Sequence, residues 1–233
     1  MEQTMYLRIR RLLWIGLLAS VVTVLGGELP IGWVEYPVIE GDVTGLLGMM
    51  AGSGRLSMGQ LACGALFGGV CIPLQYYGFE GVSQLVAQGG SRKAARIIHA
   101  GALATGFWGG IVHVICVALM FVCRGMEAGS GVLPGELMDF ILWLVMPVSV
   151  VFMPVYYGML VAMLAAVVRG RTCLPRWAAV FNPLTATVLL NALPMILPAS
   201  PLVNALGMAN MGVGSVLTFA GWLALLHRQQ RAA

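Results

Sequence analysis

Charge is scarce in this sequence. Only 9% of its 233 residues are Asp, Glu, Lys or Arg, where a soluble domain carries about 25%. Hydrophobic residues make up 59%, and the mean hydropathy is +0.90. An ordinary soluble fold is excluded, and an all-α integral membrane protein is expected. Lysine is almost missing: Lys93 is the only one and falls between apolar runs. No intramembrane amine is left for a retinal Schiff base, which excludes a rhodopsin. The three histidines, His99, His113 and His227, show neither H-x-x-x-H nor H-E-x-x-H spacing, against a zinc protease, and no G-x-x-x-x-G-K-[ST] is present for a P-loop nucleotide motor. The five cysteines form no C-x-x-C, against a thiol oxidoreductase. Ser20, Ser149 and Ser215 lack a motif joining them to His113, so an intramembrane serine hydrolase has no support. No cofactor and no metal are expected.

What is present is a series of nearly uncharged stretches, 12–27, 56–79, 97–123, 140–168 and 177–226. The last is too long for one span. It is broken at "LPASP" (197–201), where prolines flank a serine. Six transmembrane helices in a single domain are predicted, at about 6–29, 57–85, 95–123, 138–168, 177–197 and 202–226. Arg8, Arg10 and Arg11, then Arg92, Lys93 and Arg96, then Arg169, Arg171 and Arg176, and finally Arg228 and Arg231 fall at alternate ends from the isolated Arg55 and Arg124. Basic residues resist translocation, so both termini are expected in the cytoplasm. The net charge of +4 is met by anionic lipid headgroups and calls for no nucleic acid. The basic start and apolar run also look like a signal peptide, but no clear A-x-A site follows, and a retained first helix is expected. The extracytoplasmic segment 30–56, with Glu35, Glu40, Asp42, several glycines and the apolar "VTGLLGMM" (43–50), is expected over the outer mouth, as a lid or as an interfacial segment.

At about 100° per residue, His113 shares a face of the third helix with His99, Ala102, Gly106, Gly109, Gly110 and Cys116. That face is almost wholly small, so a neighbouring helix is expected to shelter the imidazole and supply its hydrogen bond. The second helix carries a similar stripe, Gln60, Gly64, Gly68, Cys71, Gln75 and Gly78, and the two helices are expected to pair as an antiparallel hairpin. Equal depth then allows a Cys63–Cys123 disulfide, with small apolar fillers as the plainer reading of the cysteines. "IPLQYYG" (72–78) and "MPVYYG" (153–158) place Pro73 and Pro154 just before tyrosine pairs, and Pro147 adds a second bend to the fourth helix. Paired kinks point to a cavity. Among ionisable groups in the spans, Glu28 and Asp139 also read as helix ends in the headgroups. Glu80 with His99 also reads as an interfacial ion pair.

"RLSMGQLACGALFGGVCIPLQYYGFEGV", "GGIVH" and "PRWAAVFNPL" resemble a family of six-helix bacterial membrane proteins of unknown function. The more specific parts are the GG-x-x-H of Gly109, Gly110 and His113, and the P-x-W-x-x-x-x-NP of Pro175, Trp177, Asn182 and Pro183. Glu28 matches an acidic residue the family tends to carry at the end of helix 1. The resemblance implies a bacterial plasma (inner) membrane and a six-helix bundle, and no reaction. The residues themselves favour a cavity for a small or lipid-like molecule, for binding or transport, lined by Glu28, Tyr77, His113, Tyr157 and Asn210. One alternative is an embedded enzyme, for instance an isomerase, using His113 or Glu80 as general acid or base. Another is a scaffold docking a membrane partner through its glycine stripes. The oligomeric state stays open.

Overall fold

A computed structural model describes residues 3–37, 39–41, 46–124 and 135–232, without the side chains of residues 46, 47, 136 and 232. Asp42 and positions 43–45 of the apolar patch lie outside the described residues. The described chain is helical, with no strand. In order come α1 (Gln3–Gly32), α2 (Leu46–Ser53), α3 (Met58–Gln88), α4 (Arg92–Arg124), α5 (Leu137–Val168), α6 (Pro183–Ile196), α7 (Pro201–Met208) and α8 (Asn210–Ala232). Five of these, α1, α3, α4, α5 and α8, are long and apolar enough to cross a membrane. Trp143 is 78% exposed and Met195 88%, a surface that hydrocarbon tolerates and water does not.

The region of the last two expected helices is built differently from its sequence pattern. A 3₁₀ helix, Arg176–Phe181, precedes α6, which has only 14 residues, or about 21 Å. Pro183 lacks an N–H and holds Asn182 extended, so the helix must restart there. Asn182 caps it, accepting from Leu184 N at 2.8 Å, and donates Nδ2 to Leu160 O of α5 at 3.1 Å. The break at 197–200 follows the "LPASP" reading, and Ser200 caps α7. α8 then runs from Asn210, eight residues later than the expected start at 202.

Neighbouring helices run antiparallel, as their contacts at each level show. Tyr6 of α1 donates to Leu226 O of α8 at 3.3 Å, while Glu28 abuts Gly212 at the other end. Gln229 also donates to Cys173 O at 2.5 Å. The two ends of the chain and the α5–α6 connection therefore share one end of the bundle. α3 lies along α1 through Gly16 on Gly78 and Gly27 on Gly68, and along α4 through Tyr76 on Gly106 and Ile72 on Gly109. The glycine stripe of α3 thus admits α1 at backbone contact as well as receiving His113, and the hairpin with α4 rests on Ile72, Pro73 and Tyr76 at this level and, nearer the turn, on Ser83, which donates to Ala95 O at 2.9 Å. In that register Cys71 sits at the level of Gly110 rather than Cys116, and all five cysteines are free.

Packing divides by level. Phe79, Phe219, Trp222, Leu160 and Met163 belong to a large apolar core. At the opposite end a smaller cluster joins Ile31, Val34, Leu56, Leu61, Val117 and Met120, with Tyr36 against it. Beside Gly52, burial pushes the Tyr36 hydroxyl up to about 12. Gln60 Nε2 to Pro30 O at 2.8 Å and Asn204 Nδ2 to Val34 O at 2.7 Å tie this segment down. α2 packs Met50 against Leu119, Cys123 and Leu137. The described part of segment 30–56 therefore covers one end of the bundle.

Candidate functional site

Four of the long helices widen by a π turn: Thr23–Glu28 in α1, Gly64–Gly68 in α3, Thr105–Gly109 in α4 and Ile141–Val145 in α5. Three precede a proline by a few residues, Pro30, Pro73 and Pro147. A proline cannot donate to the preceding turn and its ring crowds the carbonyl four residues back, and a wider turn relieves both effects. The fourth lies in a glycine-rich stretch, "TGFWGG". An inserted residue re-aims everything beyond it by about 100°, and that rotation helps decide what faces the interior.

The turns in α1 and α4 contribute directly to the wall of a cavity of about 190 Å³, between α1, α3, α4, α5 and the α7–α8 corner. Its wall is mostly apolar, with Ile31, Ile72, Val112, Phe152 and four methionines, Met120, Met153, Met208 and Met211. Glu28, Gln75, Thr105, His113, Cys116 and Tyr156 bring polar atoms. The large core closes one end, and the Ile31–Met120 cluster, under the covering segment, closes the other.

His113 Nε2 lies 3.1 Å from Gly64 O. A carbonyl only accepts, so Nε2 carries the hydrogen, and in the neutral ring Nδ1 keeps its lone pair. Gly64 opens the π turn of α3, where the ladder of backbone bonds is interrupted and a carbonyl is available. A Cβ on Gly68 would collide with the imidazole, so that glycine makes its seat. The cost of a polar ring in an apolar helix is thus met by one backbone acceptor and one missing methyl.

Glu28 ends the π turn of α1. It is 7% exposed, and its Oε2 has no hydrogen-bond partner among the described residues. A Cβ on Gly212 would strike that oxygen, so a second glycine makes room for the carboxyl. Among the described residues Glu28 makes no ion pair. Tyr156 is buried on the wall, and the Ser215 hydroxyl donates to Met211 O at 3.0 Å. Thr105 donates to Gly101 O at 2.9 Å, and Gln75 Nε2 reaches Thr23 Oγ1 at 3.5 Å.

Of the residues expected to line a site, Glu28 and His113 meet at this cavity. Tyr77 and Tyr157 do not: both are exposed, and Tyr156, next in sequence to Tyr157, takes the inward position. Asn210 also stands apart, donating to Gly207 O at 2.6 Å and Asn191 Oδ1 at 3.3 Å. Glu80 is engaged elsewhere, 2.6 Å from His99 Nδ1 and 2.9 Å from Gln84 Nε2, and Asp139 is exposed. Gln75 and Tyr156, singled out in the sequence only as part of the α3 stripe and of a tyrosine pair, were not expected in the lining, and neither were the methionines. The proline before the tyrosine pair marked the place, but only the helix rotation selects which tyrosine turns inward. Among the described residues no cluster of His, Cys, Asp or Glu is arranged to hold a metal.

No curated protein and no solved structure matches the chain. A family model does match, over residues 1–229. The chain belongs to that family, a family of unknown function (DUF6796).

Proposed function

We propose that this protein binds or transports a small or lipid-like molecule in its intramembrane cavity. The observation that carries the reading is the Glu28 carboxyl, buried on the cavity wall with an oxygen that no described protein group satisfies. Buried polar groups are paired as a rule, and an ionisable exception on a cavity wall calls for a partner from outside the protein. A 150 Å³ apolar cavity takes a benzene ring, so about 190 Å³ suits a ring with a short substituent or a stretch of acyl chain. The glycines of α3 and α4 pack inside the bundle, which counts against a scaffold that docks through them. Of the two residues considered for an enzyme, Glu80 is occupied by His99, and only His113 stays at the cavity.

The proposal includes six crossings in a bacterial plasma membrane, with both chain ends cytoplasmic. Adding the 3₁₀ helix, about 12 Å long, to α6 lets residues 176–196 approach the roughly 30 Å of a hydrocarbon core. It would carry the chain from the level of Cys173, beside Gln229, to that of Asn204, beside Val34. The test of the cavity is a structure in lipid nanodiscs. Non-protein density between Glu28 and His113 is the expected result. Side chains collapsed into that space, with Glu28 bonded to a protein group, would overturn it.

A further inference from the structure

The donors and acceptors around the cavity are unevenly committed. His113 spends its Nε2 hydrogen on Gly64 O, and Thr105 its hydroxyl on Gly101 O. Two acceptors on the wall are left over, Glu28 Oε2 and the lone pair of the neutral His113 Nδ1. A ligand that satisfies these two atoms brings hydrogens. The rest of the wall prefers positive charge as well. Phe152 and Tyr156 bring aromatic rings to the wall, and the methionine sulfurs are soft and polarizable. No Lys or Arg stands on the wall to compete for the carboxyl.

Resting on the cavity reading above, we infer that the ligand is a small lipophilic ammonium ion, an apolar body of about one ring bearing a protonated amine, held by Glu28 in exchange for a proton. Burying an unpaired charge is far more costly than burying a neutral pair. As the ammonium enters, the Glu28 O–H bond breaks and its proton leaves to water. The ammonium keeps its own hydrogens and donates to the carboxylate. The cavity is neutral before and after, and one positive charge has been exchanged for another. The other titratable groups on the wall are His113 and Cys116 of α4 and Tyr156 of α5; α3 and the α7–α8 corner present none. The hydrogen of His113 is engaged by Gly64 O, and a carboxylic acid is intrinsically a far stronger acid than a phenol or a thiol, so Glu28 is the group that releases the proton.

The probes are benzylamine, protonated at neutral pH, and benzyl alcohol, which has nearly the same shape and no charge. Each is titrated calorimetrically into the full-length protein in nanodiscs, against empty nanodiscs and in buffers of different ionisation enthalpy. The inference expects benzylammonium to bind with release of about one proton, and its affinity to fall about tenfold per pH unit lowered. Benzyl alcohol should bind weakly and independently of pH. Glu28→Gln should weaken benzylammonium about tenfold or more while still admitting benzyl alcohol, which also shows that the variant is folded. Equal affinities for the two probes, or amine binding with no proton released from the unmutated protein, would overturn the cation assignment and leave the cavity reading standing. Failure of both probes to bind the unmutated protein would overturn both.

Discussion

His113 stays in an apolar helix because α3 offers it one carbonyl and one vacancy. Gly64 supplies the acceptor and Gly68 the space. Adding a methyl to Gly68 should cost about 1–3 kcal/mol by overpacking, read as a lowered thermal unfolding midpoint in detergent. If the imidazole is what the glycine accommodates, the penalty nearly vanishes when Gly68→Ala is made in a His113→Ala background. Equal penalties in both backgrounds would mean that Gly68 serves the contact with α1 instead. At this scale the sequence was informative about chemistry and silent about direction. An imidazole in "GGIVH" and a carboxyl at the end of an apolar run are expensive enough to be noticed wherever they sit. Tyr156 and Tyr157 are chemically identical neighbours, and nothing local says which one faces inward.

At the scale of elements, proline spacing explains more than hydropathy does. Pro30, Pro73 and Pro147 each follow a widened turn; Pro73 and Pro147 were visible as kink sites without the register shift they bring, and Pro30 was not singled out. That shift is why helical-wheel faces drawn at a constant 100° do not carry through the π turns. α6 depends on a single residue in the same way. Asn182→Ala removes the N-cap to Leu184 N and the bond to Leu160 O, an expected loss of about 2 kcal/mol. Asn182→Ser keeps a capping oxygen but cannot reach α5, and should recover about half. Chemical or thermal unfolding of the two variants side by side checks this, and equal losses would mean that the cap contributes nothing. Hydropathy drew 177–197 as one helix because Trp177 to Phe181 are as apolar as α6 itself. The Asn182-Pro183 pair, readable as a helix start, sets the actual boundary.

For the whole molecule the open quantity is the path of residues 176–196 relative to the bilayer. Cys173 is exposed between α5 and the 3₁₀ helix, with desolvation pushing its thiol up, so labelling should quicken as the pH is raised. A membrane-impermeant maleimide should reach Cys173 in inside-out vesicles and not in intact cells, with Cys173→Ala removing the signal. Ala199→Cys, exposed in the break before α7, should show the opposite sidedness. Labelling of both from the same side would mean that the chain does not cross the bilayer between these positions. The alternation of basic residues motivates the first expectation, and the contacts of Tyr6 with Leu226 and of Asn204 with Val34 motivate the second. By itself the sequence determined the class and the long apolar helices, and it marked Glu28 and His113 among its five candidates, because transfer of apolar and charged groups into lipid depends on composition residue by residue. Only the tertiary structure decided that Glu28 and His113 share a cavity, that Tyr156 joins them, and that α1 occupies the glycine stripe of α3. Those outcomes depend on helix rotation and antiparallel register, which are set by side chains far apart in the chain packing at the same depth.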